Sequence, residues 1–289
     1  MKKYIITVLV FVFSFSAQAQ DKPAYRLFKA NGKKTNYKKM LKKLQEADVV
    51  LFGELHNNPI AHWLELEVAK SISKTKNISL GFEMLEADNQ EAVNLYLKDS
   101  INQKGLDSLA RLWPNYKTDY KPLVDFAKTN KLAVIASNVP RRNAKIVVRK
   151  GLEALDSLSP TEKKFIAPLP IKYDATLKSY VAMTQMEHMK YMPKNMRINM
   201  PKAQAIKDAT MAHFILENLH KGEVFIHYNG SYHSDLHEGV VWYLKQQNPN
   251  LKILTITTVS VPNPKKFKEK AKNKADFILQ VSESMTETY

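Results

Sequence analysis

The chain has 289 residues, a formal net charge of +16 and no cysteine. The missing thiol excludes thiolate metal sites, Fe–S clusters, covalent cofactor attachment through CxxC-His and a lipid-bearing cysteine. The length fits one large α/β domain, and the basic balance favours anionic ligands.

Residues 1–20 read as a signal peptide. Lys2 and Lys3 precede an apolar run, and Ala17-Gln18-Ala19 supplies the small-x-small cleavage pattern. The run is roughly a dozen residues, short of the about 20 that a membrane span needs. The predicted product, residues 21–289, is therefore exported, periplasmic or extracellular. Export argues against nucleic acid as the partner of the basic charge.

Beyond the signal, strand and helix patterns alternate. Residues 25–28 predict a short edge strand before an Asn31-Gly32 turn, and 37–46 a helix. Residues 48–52 form an apolar strand, and Asn57-Asn58-Pro59 starts a helix that runs to about Ile72. A strand at 78–82 and a helix from Asp88 to about Leu97 follow. Trp113, Tyr116 and Tyr120 lead to a helix at 123–129, a strand at 132–136 and a helix at 140–151. Residues 155–200, rich in Pro, Met and Lys, break the rhythm and read as a helical insertion. The remainder predicts a helix at 203–219, a strand at 224–228, a helix at 235–247, a strand at 251–257 and a last edge strand at 275–281. The fold class is α/β: a mostly parallel sheet flanked by helices.

In such sheets sites form beyond the carboxyl ends of the strands. The first strand pattern runs into Gly53-Glu54-Leu55-His56 and the second into Glu83. The third runs into Ser137-Asn138 and Arg141-Arg142, and the fourth into Asn229-Gly230-Ser231-Tyr232-His233. A parallel sheet gathers Glu54, His56, Glu83, Asn138, an arginine and His233 at one edge. Glu54, Glu83, His56 and His233 are then candidate ligands for a divalent metal such as zinc, manganese or iron. The same carboxylates are candidates for acid–base catalysis, Glu54 or Glu83 acting as base. His62 and Glu65 form a His-x-x-Glu turn, placed either toward the cleft or on the surface.

Met183, Met186, Met189, Met192 and Met196 recur at helical spacing around His188. This stripe fits a core face first and an apolar ligand wall second. No GxGxxG, P-loop, His-Glu-x-x-His or Gly-x-Ser-x-Gly motif is present.

The motif from Ala47 to Pro59, with His62, resembles the opening motif of the ChaN-like haem-binding family. That family belongs to a larger group with the erythromycin esterases and the Tiki and TraB proteins. Glu83-Met84 with Gln90, Ala136 to Arg141, Ala203-Gln204 with Asp208 and Met211-Ala212, and Gly230-Ser231-Tyr232-His233 are similar to its later motifs. The resemblance runs from about Tyr25 to the C-terminus. It implies haem as the ligand, iron uptake with an outer-membrane haem transport system, and a homodimer with tyrosine and histidine at the haems. The residues it offers for haem are His56, His62, Tyr120, Arg141, His188 and His233. Its wider group keeps open a metal-dependent esterase or peptidase.

Overall fold

The computed structural model describes residues 21–289, so the predicted signal peptide lies outside the described residues. The strands are β1 (Tyr25–Lys29), β2 (Lys34–Thr35), β3 (Val49–Glu54), β4 (Ile78–Glu86), β5 (Ala133–Asn138), β6 (Val224–Gly230), β7 (Ile253–Val261) and β8 (Phe277–Ser282). They form one sheet in the order β2-β1-β8-β7-β3-β6-β4-β5. The six strands from β8 to β5 are parallel, and β1 is antiparallel to both its neighbours.

Helices cover both faces, which is why β3, β4 and β6 are buried along their whole length. One face packs under α1 (Tyr37–Leu44), α2 (Pro59–Ser73), α3 (Gln90–Leu97), α4 (Gln103–Leu109) and α5 (Lys121–Thr129). Next in the chain come α6 (Arg141–Lys150), α7 (Pro160–Lys163) and α8 (Lys178–Thr184), then α9 (Lys194–Asn218) and α10 (Val240–Gln247). The last two cover the opposite face. A smaller core of Val139, Val147, Leu155, Ile166 and Ile206 joins α6 to α9.

Several expectations need correction. The strands at 25–28 and 275–281 are not edges: β1 and β8 pair with each other, and the two-residue β2 takes the rim. The insertion is helical as expected, a series of short helices joined by turns, but the long helix begins at Lys194 instead of 203, running through Pro201. Proline reads as a break, but packing of α9 against α6 and the sheet overrides that preference. The helix expected from 235 starts only at Val240, because Leu236 and His237 adopt left-handed backbone.

Two features place the site. Register pairs Glu54 with Gly230 across β3 and β6, so their ends coincide. Strand β4 shifts register against β5 between Phe82 and Glu86, where four steps on β4 match the two from Ala136 to Asn138. The extra residues bend the strand end and re-aim Glu83 toward β6.

Candidate functional site

The sheet edge carries two layers of polar groups. The outer layer opens on a cavity of about 460 Å³. Its floor holds His56, Glu83, Gly230 and His233, and its walls include Trp113, Val139, Val148, Met183, Met186 and Met200. Arg141, Lys145, Lys207 and Tyr232 also line it. The volume falls within the range usual for small-molecule sites.

Glu83 is buried, accepting from the Gly230 N–H at 2.7 Å through one oxygen and lying 3.1 Å from His233 Nε2 through the other. The other face of the His233 ring places Nδ1 2.5 Å from Asp208 Oδ1. Asp208 in turn accepts from the Tyr180 hydroxyl at 2.8 Å. Burial pulls the His233 pKa down, but the two carboxylates outweigh it and push it up to about 9. Burial alone would raise Glu83; His233, and then His56, hold it well below the usual carboxylate range. The cleft floor thus carries a carboxylate base beside a protonated imidazole.

The inner layer lies behind His56. Glu54 Oε1 accepts from the Tyr120 hydroxyl at 2.7 Å and sits 2.6 Å from His56 Nδ1. His62, in the first turn of α2, places Nδ1 3.2 Å from Glu54 Oε2 and 3.2 Å from Glu65 Oε2. Asn58 caps that helix by accepting from the backbone of Ile60 and Ala61, and Pro59 fits its first turn. His62 Nε2 lies 3.1 Å from the His56 carbonyl oxygen and 3.4 Å from Asp119 Oδ2. Asp119 accepts from Asn115 at 2.6 Å and from Thr288 at 2.7 Å. The Thr288 N–H donates to the Asn57 carbonyl at 3.0 Å, so the C-terminal residues fold back over this layer. Burial lowers the His62 pKa, but Glu54 and Glu65 raise it further, to about 11. Glu65 is driven well above the usual range, by burial first and then by Glu54.

The predicted site residues divide between these layers. His56, Glu83, Arg141 and His233 line the cavity. Glu54, His62 and Tyr120 do not: each is buried in the inner layer, and Tyr120 is 0 % exposed with its hydroxyl bound to Glu54. A phenol so placed cannot face a ligand in the cavity. It belongs to a π-turn at Tyr116–Tyr120 that turns the ring under Trp113. His188 lies in a turn at Glu187–Tyr191, and its side chain is outside the described residues. Ligand atoms close enough for one ion come together, among the described residues, in Glu54, His62 and Glu65 instead of the predicted Glu54, His56, Glu83 and His233.

Tyr180 is not singled out by the sequence, and Tyr232 and Asp208 appear there only inside motifs, without a role. Tyr232 is 56 % exposed at the cavity mouth, flagged only by its position beside His233. Asp208 and Tyr180 orient His233 from helices 25 or more residues away in sequence. The Tyr180 hydroxyl carries no local signal, and Asp208 carries only the motif resemblance.

An α/β sheet with a mixed apolar and ionisable cleft at its carboxyl edge defines a small-ligand-binding protein. Residues 40–244 match the family described as haem-binding uptake, Tiki superfamily, ChaN, and the chain belongs to it. The fold is similar to that of the solved ChaN of Campylobacter jejuni, described as binding haem cofacially. The TM-score is 0.66 at 18 % identity, covering 88 % of this chain and 96 % of that one. Among curated proteins, RETICULATA-RELATED 5, a chloroplastic protein of Arabidopsis thaliana, is 28 % identical over 139 residues. That match spans 45 % of this chain but only 18 % of the relative. No helix among the described residues is long and apolar enough to cross a membrane.

Proposed function

We propose that this chain is an exported haem-binding protein of haem and iron uptake, with haem as its cargo at the mouth of the outer cleft. The observation that carries this is the division of the cavity wall. Trp113, Met183, Met186 and Met200 offer an adaptable apolar surface, while Arg141, Lys145 and Lys207 stand where carboxylates can pair. Tyr232 presents an exposed phenol in the same lining, a ligand type suited to ferric haem. The donor set fits the group: oxygen and imidazole donors are present, and no thiolate is required. The basic N-terminal start and apolar run support export, placing the protein in the periplasm or outside the cell. A homodimer enclosing haem, and an outer-membrane haem transport system as recipient, complete the reading.

Haemin titration of residues 21–289, followed by absorbance, tests it. A saturable Soret shift of defined stoichiometry is expected. Weak, non-saturable binding of the kind any basic apolar surface shows would sink it.

One observation favours a second reading. Asp208, His233 and Glu83 form a relay that ends in the cleft, which suits ester or peptide hydrolysis with the ionised Glu83 orienting a water and His233 as acid. Hydrolysis of a model ester or peptide that is lost in Glu83→Gln, while haem binding persists, would establish it. Absence of any turnover in the wild type removes it.

A further inference from the structure

The inner layer has a composition that the haem reading does not use. Glu54 and Glu65 are 1 % and 0 % exposed, and both face the His62 imidazole. Glu65 Oε1 is buried without any hydrogen-bond partner, and Glu54 Oε2 has only the His62 Nδ1 contact at 3.2 Å. Orphaned carboxylate oxygens are expensive to bury, and natural interiors rarely leave them so. One ligand atom from each of Glu54, His62 and Glu65 lies within 4.8 Å of the others, the spacing of donors around one ion.

We propose that Glu54, His62 and Glu65 hold a divalent transition-metal ion of the zinc or manganese kind, behind the cleft and separate from any haem. Two carboxylates with a neutral imidazole balance a dication, so the cluster becomes uncharged as a whole. Oxygen and imidazole donors match these metals.

The surroundings are arranged as an outer shell. His62 presents Nδ1 to the carboxylates, while its Nε2 faces the His56 carbonyl at 3.1 Å and Asp119 at 3.4 Å. An Nε2–H donated there leaves the Nδ1 lone pair free for a metal. Tyr120 and His56 both engage Glu54 Oε1, so Oε2 is the oxygen left to bind. Asn115 and Thr288 fix Asp119 in turn. Tyr120, which the sequence offers as a haem contact, thereby orients a metal ligand.

The test uses the full chain without haem, so its failure is distinguishable from failure of the haem reading. Metal content is measured after purification without chelator. Thermal unfolding is then followed before and after EDTA and on adding ZnCl2 or MnCl2. About one equivalent per chain, a fall in Tm on chelation and recovery with either salt are expected. Glu65→Gln keeps the side-chain shape and is expected to lose the bound equivalent. Tyr120→Phe, removing only the donor to Oε1, is expected to weaken metal affinity about 10–100-fold. A wild type that carries no metal and whose Tm ignores both salts overturns the proposal. So does undiminished metal in both Glu65→Gln and His62→Gln, which would locate it on the surface.

Discussion

The His56 ring rests on Gly230 so closely that a Cβ there would sit 2.7 Å from Nε2. Backbone conformation is not the constraint, since Gly230 has φ of −56°. The constraint is space, and the same residue donates its N–H to Glu83. Gly230→Ala is therefore expected to push the imidazole off the cleft floor and cost about 1–3 kcal/mol of stability through overpacking. Thermal unfolding and the haemin titration would both register it. A variant indistinguishable from wild type in both would show that the ring moves aside freely.

The two tyrosines should separate cleanly. Tyr232→Phe is expected to alter the charge-transfer bands of ferric haem, since it removes the exposed phenol at the cavity mouth. Tyr120→Phe should leave that spectrum unchanged but lower stability by about 1–3 kcal/mol, because Glu54 loses a buried donor. The reverse pattern would mean that the inner layer opens to the ligand.

His233 should report its partners. With its pKa raised to about 9, its stabilising contribution is whole below pH 6.5 and is lost as pH rises through about 9. Asp208→Asn removes one of the two carboxylates, so the NMR-titrated pKa should fall by about 1–3 units and the alkaline loss of stability should begin earlier. An unmoved titration curve would refute the pairing.

His227 works in the opposite direction. It is buried in β6 with Nε2 2.8 Å from Ser137 Oγ and Nδ1 3.1 Å from Asn229 Oδ1. Burial lowers its pKa from 6.5 to about 4. Its neutral ring therefore supports the fold fully above pH 6.5, and that support is lost as pH falls toward about 4, a term of about 3 kcal/mol. Unfolding at stepped acid pH should show this slope, and His227→Gln should flatten it. Equal acid sensitivity in both proteins would assign the slope to other groups.

The parallel sheet is legible because strands covered on both faces must be apolar runs, as Val49-Val50-Leu51-Phe52 is. The polar residues that end those runs, Glu54, Glu83, Asn138 and His233, follow from topology once the strands are parallel. Depth is a different matter. Glu54 and Glu83 look equivalent in sequence, yet the register shift on β4 sends Glu83 to the cavity while Glu54 stays inside. Tyr120 and Tyr232 likewise differ only in where a turn points them. Asp208 stands out in the sequence only through a motif, and its pairing is hidden there because its partners His233 and Tyr180 come from distant elements. Nor does α9 show a single apolar stripe, since the sheet, α6 and the cleft each take a different side of it.

That three-sided burial of α9 has a mechanical meaning. Ala203 and Ile206 belong to the core under α6, Ala209, Met211, Ala212 and Ile215 to the core on the sheet, and Gln204 and Lys207 to the cavity. The helix behaves as a shared beam between two compartments, with Asp208 as the rivet to His233. Occupying the cavity should then slow amide hydrogen exchange along α9 well past the residues in contact, reaching toward Ile215. The same coupling makes the middle of this helix a poor place to insert a label or a tag.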